Sequence, residues 1–149
     1  MTKAPMWQWS AVETAAAIKA GDVSSQDVTA AHLARMKEVN PALNAVVVDL
    51  GDSALKAAEA ADAARAADKS GRGLGPLHGV PVTIKINIDV EGQANSNGVV
   101  AFKDNIAPGD SPVTANLKKA GAIIIGLTNT PEFSLRAFTD NPLHGLTRN

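Results

Sequence analysis

The sequence predicts an α/β protein in which helices cover a sheet, and three observations lead to this fold class. Segments with helical patterning alternate with strand-like segments along the 149 residues. Two of the strand-like segments, residues 80–84 and 122–126, are apolar runs with β-branched residues, which is typical of strands covered on both faces. Hydrophobic residues make up 45% of the chain, so a single domain of this length can bury a core.

The composition excludes several classes of function. The formal net charge is -1, from 14 basic and 15 acidic residues, so no field attracts nucleic acid or an anionic membrane. The absence of cysteine excludes disulfides and thiolate chemistry. His32, His78 and His144 lack the spacing of a metal site and there is no nucleotide-binding glycine loop, so we expect no cofactor. With neither a signal-peptide pattern nor a membrane-spanning apolar run, we expect a cytoplasmic protein.

Two helices are predicted in the first part of the chain. Ser10 and Glu13 have the spacing of a capping box, and Gly21 can end that helix in the left-handed conformation. A second start signal of the same kind lies at residues 24–27. This second helix is predicted to end at Pro41, because proline has no N–H group with which to continue it.

The next segments predict a strand, a helix and a loop. Residues 45–50 form an apolar, β-branched run and are predicted to be a buried strand. Residues 53–69 are rich in alanine, with charged residues at helical spacings, so we interpret them as a helix rather than as low-complexity sequence. Residues 70–76 are rich in glycine and proline. A domain linker is the alternative, but a strand follows at once, which favours a loop within one domain.

The second half is predicted to contain a long loop, a helix and a short turn. Residues 89–108 are polar and lack periodicity, and loops of this length often line functional sites. Pro112 is suited to the first turn of a helix, on which Val113 and Leu117 are predicted to face the core. Residues 131–134 predict a short helical turn, and the remaining residues resemble a loop.

Three motifs follow one another in the sequence. They are GPLHGVPVTIK at residues 75–85, AGAIIIGLTNTPEF at residues 120–133, and Asn141 followed by GLTRN at residues 145–149. Together with similar stretches nearer the N-terminus, this ordered set covers nearly the whole chain. It resembles the amidase-signature family, whose members hydrolyse or transfer amide groups.

The resemblance implies both a fold and an organisation. The family fold is a mixed sheet covered by helices on both faces, and residues 1–149 would be the N-terminal part of a single amidase domain, without a separate linker or second domain. Family members use a Ser–cis-Ser–Lys arrangement, and their lysine lies at the position of Lys85. Their two serines come from a glycine- and serine-rich signature that follows the Thr-Arg-Asn segment, and these 149 residues do not include it.

The resemblance assigns Lys85 the role of a base. A serine hydroxyl is a weak nucleophile and needs a base, and lysine serves only in its neutral form. The apolar residues next to Lys85 are expected to desolvate its amine. The alternative is an ordinary lysine whose amine reaches solvent from a strand end. Ile86 stands where the family often has an aspartate, and Asn87 keeps the next polar position.

Other matched positions have substrate-side or structural interpretations. Asn129 and Glu132 match a family segment and are candidates for binding the amide substrate. Alternatively, Glu132 stabilises the first turn of a helix with its negative charge. Arg148 is interpreted as orienting the following loop, and His78 and His144 as packing residues.

Three hypotheses follow for the activity of the chain. It could be a fragment of a longer amidase, a subunit completed by a second serine-bearing chain, or a non-catalytic binding or structural remnant of the fold. We expect the chain alone to be inactive, and to associate with itself or with a complementary amidase chain, because half a sheet leaves backbone groups unpaired. The sequence does not identify the amide that is the substrate.

Overall fold

A computed structural model describes residues 4–68 and 70–149 of the chain. Its helices and strands are, in order, α1 (Ala11–Ala20), α2 (Ser25–Leu43), β1 (Val46–Asp49), α3 (Gly51–Ala67), β2 (Pro81–Lys85), α4 (Pro112–Lys119) and β3 (Ile123–Thr128). Short 3-10 turns lie at Met6–Gln8, Val100–Phe102 and Glu132–Ser134. The alternation of helices and strands confirms the predicted α/β class.

The three strands form one mixed sheet in the order β1-β3-β2. β1 runs antiparallel to β3, and Val46 is paired with Thr128. β2 runs parallel to β3, because the bond from the Ile123 N–H to the Val80 carbonyl is followed, in the same direction along both strands, by the bond from the Ile86 N–H to the Thr128 carbonyl. The mixed sheet implied by the family resemblance is therefore confirmed.

Helix α1 begins and ends as predicted. The Ser10 hydroxyl accepts a hydrogen bond from the Glu13 N–H at 3.2 Å, and the Glu13 carboxylate accepts one from the Ser10 N–H at 2.8 Å. These bonds from the Ser10 backbone and hydroxyl lower the pKa of the Glu13 carboxyl. Gly21 ends the helix with a φ of 83°, in the left-handed region where glycine carries no steric penalty.

Helix α2 continues past the proline that was predicted to end it. Pro41 lies inside the helix, which extends to Leu43. Its ring is compatible with helical φ, and so near the C-terminus only the bond to the Lys37 carbonyl is lost. The end is set instead by Asn44, whose φ of 53° turns the chain out of the helix. The Asn40 side chain then accepts bonds from the N–H groups of residues 45 and 46.

Strand β1 is less buried than predicted. The side chains of Val46, Val47 and Val48 are half-buried and that of Asp49 is exposed. β1 lies at one edge of the three-stranded sheet, where it has a neighbouring strand on one side only. An apolar run therefore identified the strand correctly but did not reveal its edge position.

Helix α3 confirms the prediction from its alanine content. It spans Gly51–Ala67, and the last residue of the predicted range, Lys69, lies outside the described residues. Ala54 and Ala58 are buried and form a core cluster with Ile123 and Ile125. Because alanine side chains are short, this face of the helix can approach the strand closely.

Helix α4 begins at Pro112 as predicted, but it buries a different residue. Val113 is 53% exposed and Leu117 is half-buried, so the prediction that both face the core was wrong for Val113. Thr114 is buried instead, and its hydroxyl donates a hydrogen bond to the Asp89 carbonyl at 2.7 Å. A threonine can take this core-facing position because its hydroxyl has a partner.

The chain divides into two compact units. One consists of the residues up to Lys37, Leu50–Val82 and Leu117–Ile125, and it contains the cluster around α3. The other consists of Glu38–Asp49, Thr83–Asn116 and Gly126–Asn149, and it contains all of the predicted site residues. That all residues belong to a single amidase domain stays a prediction.

Candidate active site

Lys85 is the last residue of β2, and its side chain is exposed. The residues on either side of it, Ile84 and Ile86, are only 3% and 1% exposed. Successive side chains of a strand point to opposite faces, so the apolar neighbours of Lys85 are buried on the side away from it. The expectation that these neighbours desolvate the amine was therefore wrong for the described part of the chain.

The end of β2 is joined to the end of β3. The Ile86 N–H donates a hydrogen bond to the Thr128 carbonyl at 2.9 Å. Ile86 directly follows Lys85, and Thr128 directly precedes Asn129. The structure thus brings two of the three predicted site residues to adjacent positions at the ends of neighbouring strands.

Asn129 is buried within a network of amide hydrogen bonds. Its side chain is 6% exposed. Its Nδ2 donates to the Gly145 carbonyl at 3.0 Å and to the Thr147 hydroxyl at 3.1 Å. Its Oδ1 accepts from the Thr130 N–H at 2.9 Å and from Asn141 Nδ2 at 2.8 Å. The predicted substrate-side residue therefore points into the protein and is fully hydrogen bonded there.

A second hydrogen-bonded chain begins two residues after Lys85. Asn87 Nδ2 donates to the Ser134 hydroxyl at 2.9 Å, and the Ser134 and Thr130 hydroxyls are 2.8 Å apart. Asn87 Oδ1 is buried and has no hydrogen-bond partner within residues 4–68 and 70–149. A free acceptor therefore lies near Lys85, at the position that keeps a polar residue where Ile86 does not.

Glu132 begins the predicted short turn, which spans Glu132–Ser134. Its carboxylate is 4.0 Å from the Arg136 guanidinium, and both side chains are partly exposed. Phe133 and Ser134 follow it with φ angles of 53° and 58°, a left-handed conformation that costs free energy for residues other than glycine. The Phe133 N–H donates to the Asn97 carbonyl at 3.0 Å, which holds this unusual turn against the long loop.

The two histidines near the motifs are packing residues, as expected. The ring of His78 makes a 2.9 Å hydrogen bond with the Ala61 carbonyl. His144 is partly buried, and its Nε2 lies 3.3 Å from the hydroxyl of Ser96. Burial lowers the pKa of His144 below its ordinary value of 6.5, because the charged form loses solvation.

Sequence reasoning assigned no role to Asn141, which proves to be a centre of the network. Asn141 is 3% exposed, and besides Asn129 it binds the Thr130 carbonyl and the N–H groups of residues 143 and 144. Its presence in the third motif was a signal that the position matters. Its partner Asn129 lies twelve residues earlier, and no periodicity of the sequence connects the two.

Two further classes of site were searched for in the described ranges. Residues 4–68 and 70–149 contain no group of three or more histidine, cysteine, aspartate or glutamate side chains that could hold a metal ion. None of the helices described in these ranges is both long enough and apolar enough to span a membrane.

Comparisons with known proteins agree with the motifs. The family model "Amidase" matches residues 27–149. The chain is 67% identical over 147 residues to indoleacetamide hydrolase from Bradyrhizobium diazoefficiens, covering 99% of this chain and 28% of that protein. It is 39% identical over 149 residues to fatty-acid amide hydrolase 2-B from Danio rerio, covering 97% of this chain and 28% of that protein.

Solved structures give the same result. A fatty acid amide hydrolase structure superposes with a TM-score of 0.90 at 28% identity, covering 99% of this chain and 26% of that one. The chain thus spans between a quarter and a third of the length of the relatives it matches. Because the family model covers most of the chain and the whole of the described fold matches, the chain belongs to the amidase family, whose enzymes carry the amidase signature.

Proposed function

We propose that this chain supplies the lysine part of a site that hydrolyses indoleacetamide or a closely related arylacetamide. The observation that carries this proposal is the 67% identity to indoleacetamide hydrolase, which extends over 99% of the chain. The relatives at lower identity carry other names, among them fatty-acid amide hydrolase and acylamidase, so the amidase reaction is shared while the substrate differs.

In the proposed reaction, Lys85 acts as a neutral base. It takes a proton from the nucleophilic serine through the bridging serine, and the nucleophile attacks the amide carbon. The proton is then passed to the departing nitrogen, so that ammonia leaves and an acyl-enzyme forms. Water hydrolyses the acyl-enzyme, with the same lysine receiving its proton and returning it to the serine. Both serines would come from the glycine- and serine-rich signature, outside these 149 residues.

The environment of Lys85 supports a site that requires further sequence. Its side chain is exposed, whereas a lysine that is to lose its proton near neutral pH needs desolvation. Asn87 Oδ1 is buried without a partner in the described residues, and such a group costs about 1–3 kcal/mol until it is paired. Both features suit a site to which another segment is added.

Exposed apolar side chains in the same unit support the same conclusion. The turn and the residues after it expose Phe133, Leu135 and Phe138 by 50%, 81% and 60%. Phe102, 41% exposed, contacts Phe133 edge-to-face, with ring centroids 6.0 Å apart. Large apolar side chains clustered in this way are typical of a surface that another part of a protein covers.

Glu132 is the residue we propose for contact with the substrate. It is partly exposed, in contrast to Asn129, and it lies in the turn that Asn87 reaches through Ser134. Its contact with Arg136 is 4.0 Å between partly exposed groups, which is weak enough to be exchanged for a substrate contact. The alternative is that its charge serves only to stabilise the turn.

The first measurement is the intact mass of every polypeptide that purifies with the chain. A serine-bearing second polypeptide would identify a subunit, and its absence would favour the fragment hypothesis over the subunit hypothesis. In either case the chain is then co-expressed with the part of the Bradyrhizobium diazoefficiens relative that follows the matched region. We call this combination the completed enzyme.

Lys85→Ala is the decisive variant of the completed enzyme. We expect kcat for indoleacetamide hydrolysis to fall by about 10²–10⁴-fold, the range for losing a general base. Lys103→Ala removes an exposed lysine of the same unit and serves as the matched control, with unchanged activity expected. Activity retained in Lys85→Ala, or indoleacetamide hydrolysis by the unassisted 149-residue chain, would contradict the proposal. Hydrolysis of a long-chain fatty amide in preference to indoleacetamide would contradict the substrate alone.

A further inference from the structure

Three consecutive residues at the end of β3 are bound to three different segments of the chain. The Thr128 carbonyl accepts from the Ile86 N–H at 2.9 Å, and the Asn129 N–H donates to the Ala45 carbonyl at 2.8 Å. The Thr130 carbonyl accepts from Asn141 Nδ2 at 2.7 Å. The end of β3 is therefore a common reference for the segment after Lys85 and for the last part of the chain.

The side chain of Asn129 has no capacity left for a ligand. An amide has two donor hydrogens and two acceptor lone pairs. Both donors are used by Gly145 and Thr147, and both acceptor positions by Thr130 and Asn141. Since the side chain is also 6% exposed, a substrate could contact it only by displacing one of these partners.

The segment that Asn129 binds has no regular secondary structure, so its path depends on individual bonds. The Thr147 hydroxyl donates to the Asn44 carbonyl at 2.7 Å, and the Thr147 N–H donates to the Thr139 carbonyl at 2.9 Å. The Arg148 N–H donates to the Leu43 carbonyl at 2.8 Å. Asn129 is the partner that links this segment to the strand end beside Lys85.

We propose that Asn129 is a positioning residue, which fixes the segment 145–148 relative to the end of β2 that carries Lys85. The inference rests on the proposed function, because in the amidase signature the serines follow this segment. The position of the segment would then determine how far the serines lie from the lysine. Asn129 would act through Thr147 and Gly145, without touching the substrate.

The first test uses amide hydrogen exchange measured by NMR on the 149-residue chain, and it requires no catalytic activity. Asn129→Asp keeps the size and the acceptor of the side chain but removes both donors. We expect the Thr147 and Arg148 amides to exchange about tenfold faster, since local opening becomes easier when these bonds are lost. The Ala107 amide, bonded to the Gln93 carbonyl in the same unit, should keep its rate. Asn116→Asp, at an exposed position of α4, is the control for the added charge.

Exchange that is unchanged at Thr147 and Arg148, or accelerated equally at all protected amides, would overturn the proposal, since the latter reports global destabilisation alone. If Asn129→Asp does not fold, Thr147→Val decides, because it removes the hydroxyl that Asn129 binds while keeping the size of the side chain. Local acceleration in this variant supports the proposal, and exchange identical to that of the parent refutes it.

The second test distinguishes positioning from substrate binding in the completed enzyme. Asn129→Asp should lower kcat and leave KM for indoleacetamide unchanged, as expected when an interaction matters only for the reacting geometry. An increase in KM with unchanged kcat would show that Asn129 contacts the substrate and would overturn the inference. If the completed enzyme has no activity at all, the proposed function fails while the exchange experiment still decides the position of the segment.

Discussion

Helix α3 and the segment 139–148 are both held by residues far away in the sequence, but by opposite kinds of contact. α3 buries Ala54 and Ala58 against Ile123 and Ile125, and its backbone is hydrogen bonded within the helix. The segment 139–148 has no helix or strand, and its backbone bonds are made to side-chain amides and to carbonyls of distant residues. One region depends on buried apolar area, the other on a set of matched donors and acceptors.

The difference explains how each region tolerates change. Apolar contacts are not directional, so a residue of similar volume can replace another at modest cost. In the amide network, each donor removed leaves a buried acceptor without a partner, and the cost arises at the remaining group. The network also includes the strand end next to Lys85, so that precise placement is concentrated in the unit that contains the candidate active site.

The largest effect is expected from removing apolar volume beside α3. Ile125 is 6% exposed, and Ile125→Ala should lower the free energy of unfolding by about 2–4 kcal/mol through lost burial and the cavity left behind. Urea denaturation measures the change. Ile106→Ala, at a position 56% exposed, should change the stability by less than about 0.5 kcal/mol. Equal effects of the two substitutions would show that the cluster does not hold this region together.

An intermediate effect is expected from the centre of the amide network. Asn141→Ala leaves Asn129 Oδ1, the Thr130 carbonyl and two backbone N–H groups with fewer partners. We expect a loss of about 1–3 kcal/mol in the free energy of unfolding. Asn116→Ala, which changes an exposed asparagine, provides the baseline. A loss no greater than this baseline would mean that the network contributes specificity of structure without stability, and the contrast with α3 would become sharper.

The smallest effect is a dependence of stability on pH. Burial lowers the pKa of His144 in the folded chain below its ordinary value of 6.5, so the unfolded chain takes up a proton more readily. The stability that neutral His144 allows is therefore present above pH 6.5 and is lost as the pH falls below it. Thermal unfolding of the parent and of His144→Gln between neutral and mildly acidic pH measures this. The parent should lose more stability than the variant over this interval, and parallel curves would contradict the assignment.

Local signals in the sequence predicted much of the fold but less of the site. The capping box of Ser10 and Glu13 and the alanine content of α3 identified two helices, because each depends on residues within a few positions. The motif ending in Lys85 correctly marked a strand end. The end of α2 was misplaced at Pro41, because the left-handed residue Asn44 decides it. The burial of Thr114 in place of Val113 depends on a carbonyl 25 residues away.

The sequence by itself determined the α/β class, the positions of most helices and strands, and the membership of the motifs in one family. These properties follow from periodicity, capping and short motifs, which act over a few neighbouring residues. Tertiary structure alone decided that Lys85 is exposed, that β1 is an edge strand, and that Asn129 binds Thr147. The last partnership spans 18 residues, and the next bond of the same network, from Thr147 to Asn44, spans 103. Hydrogen bonds over such separations depend on the path of the whole chain, and local spacing carries no record of them.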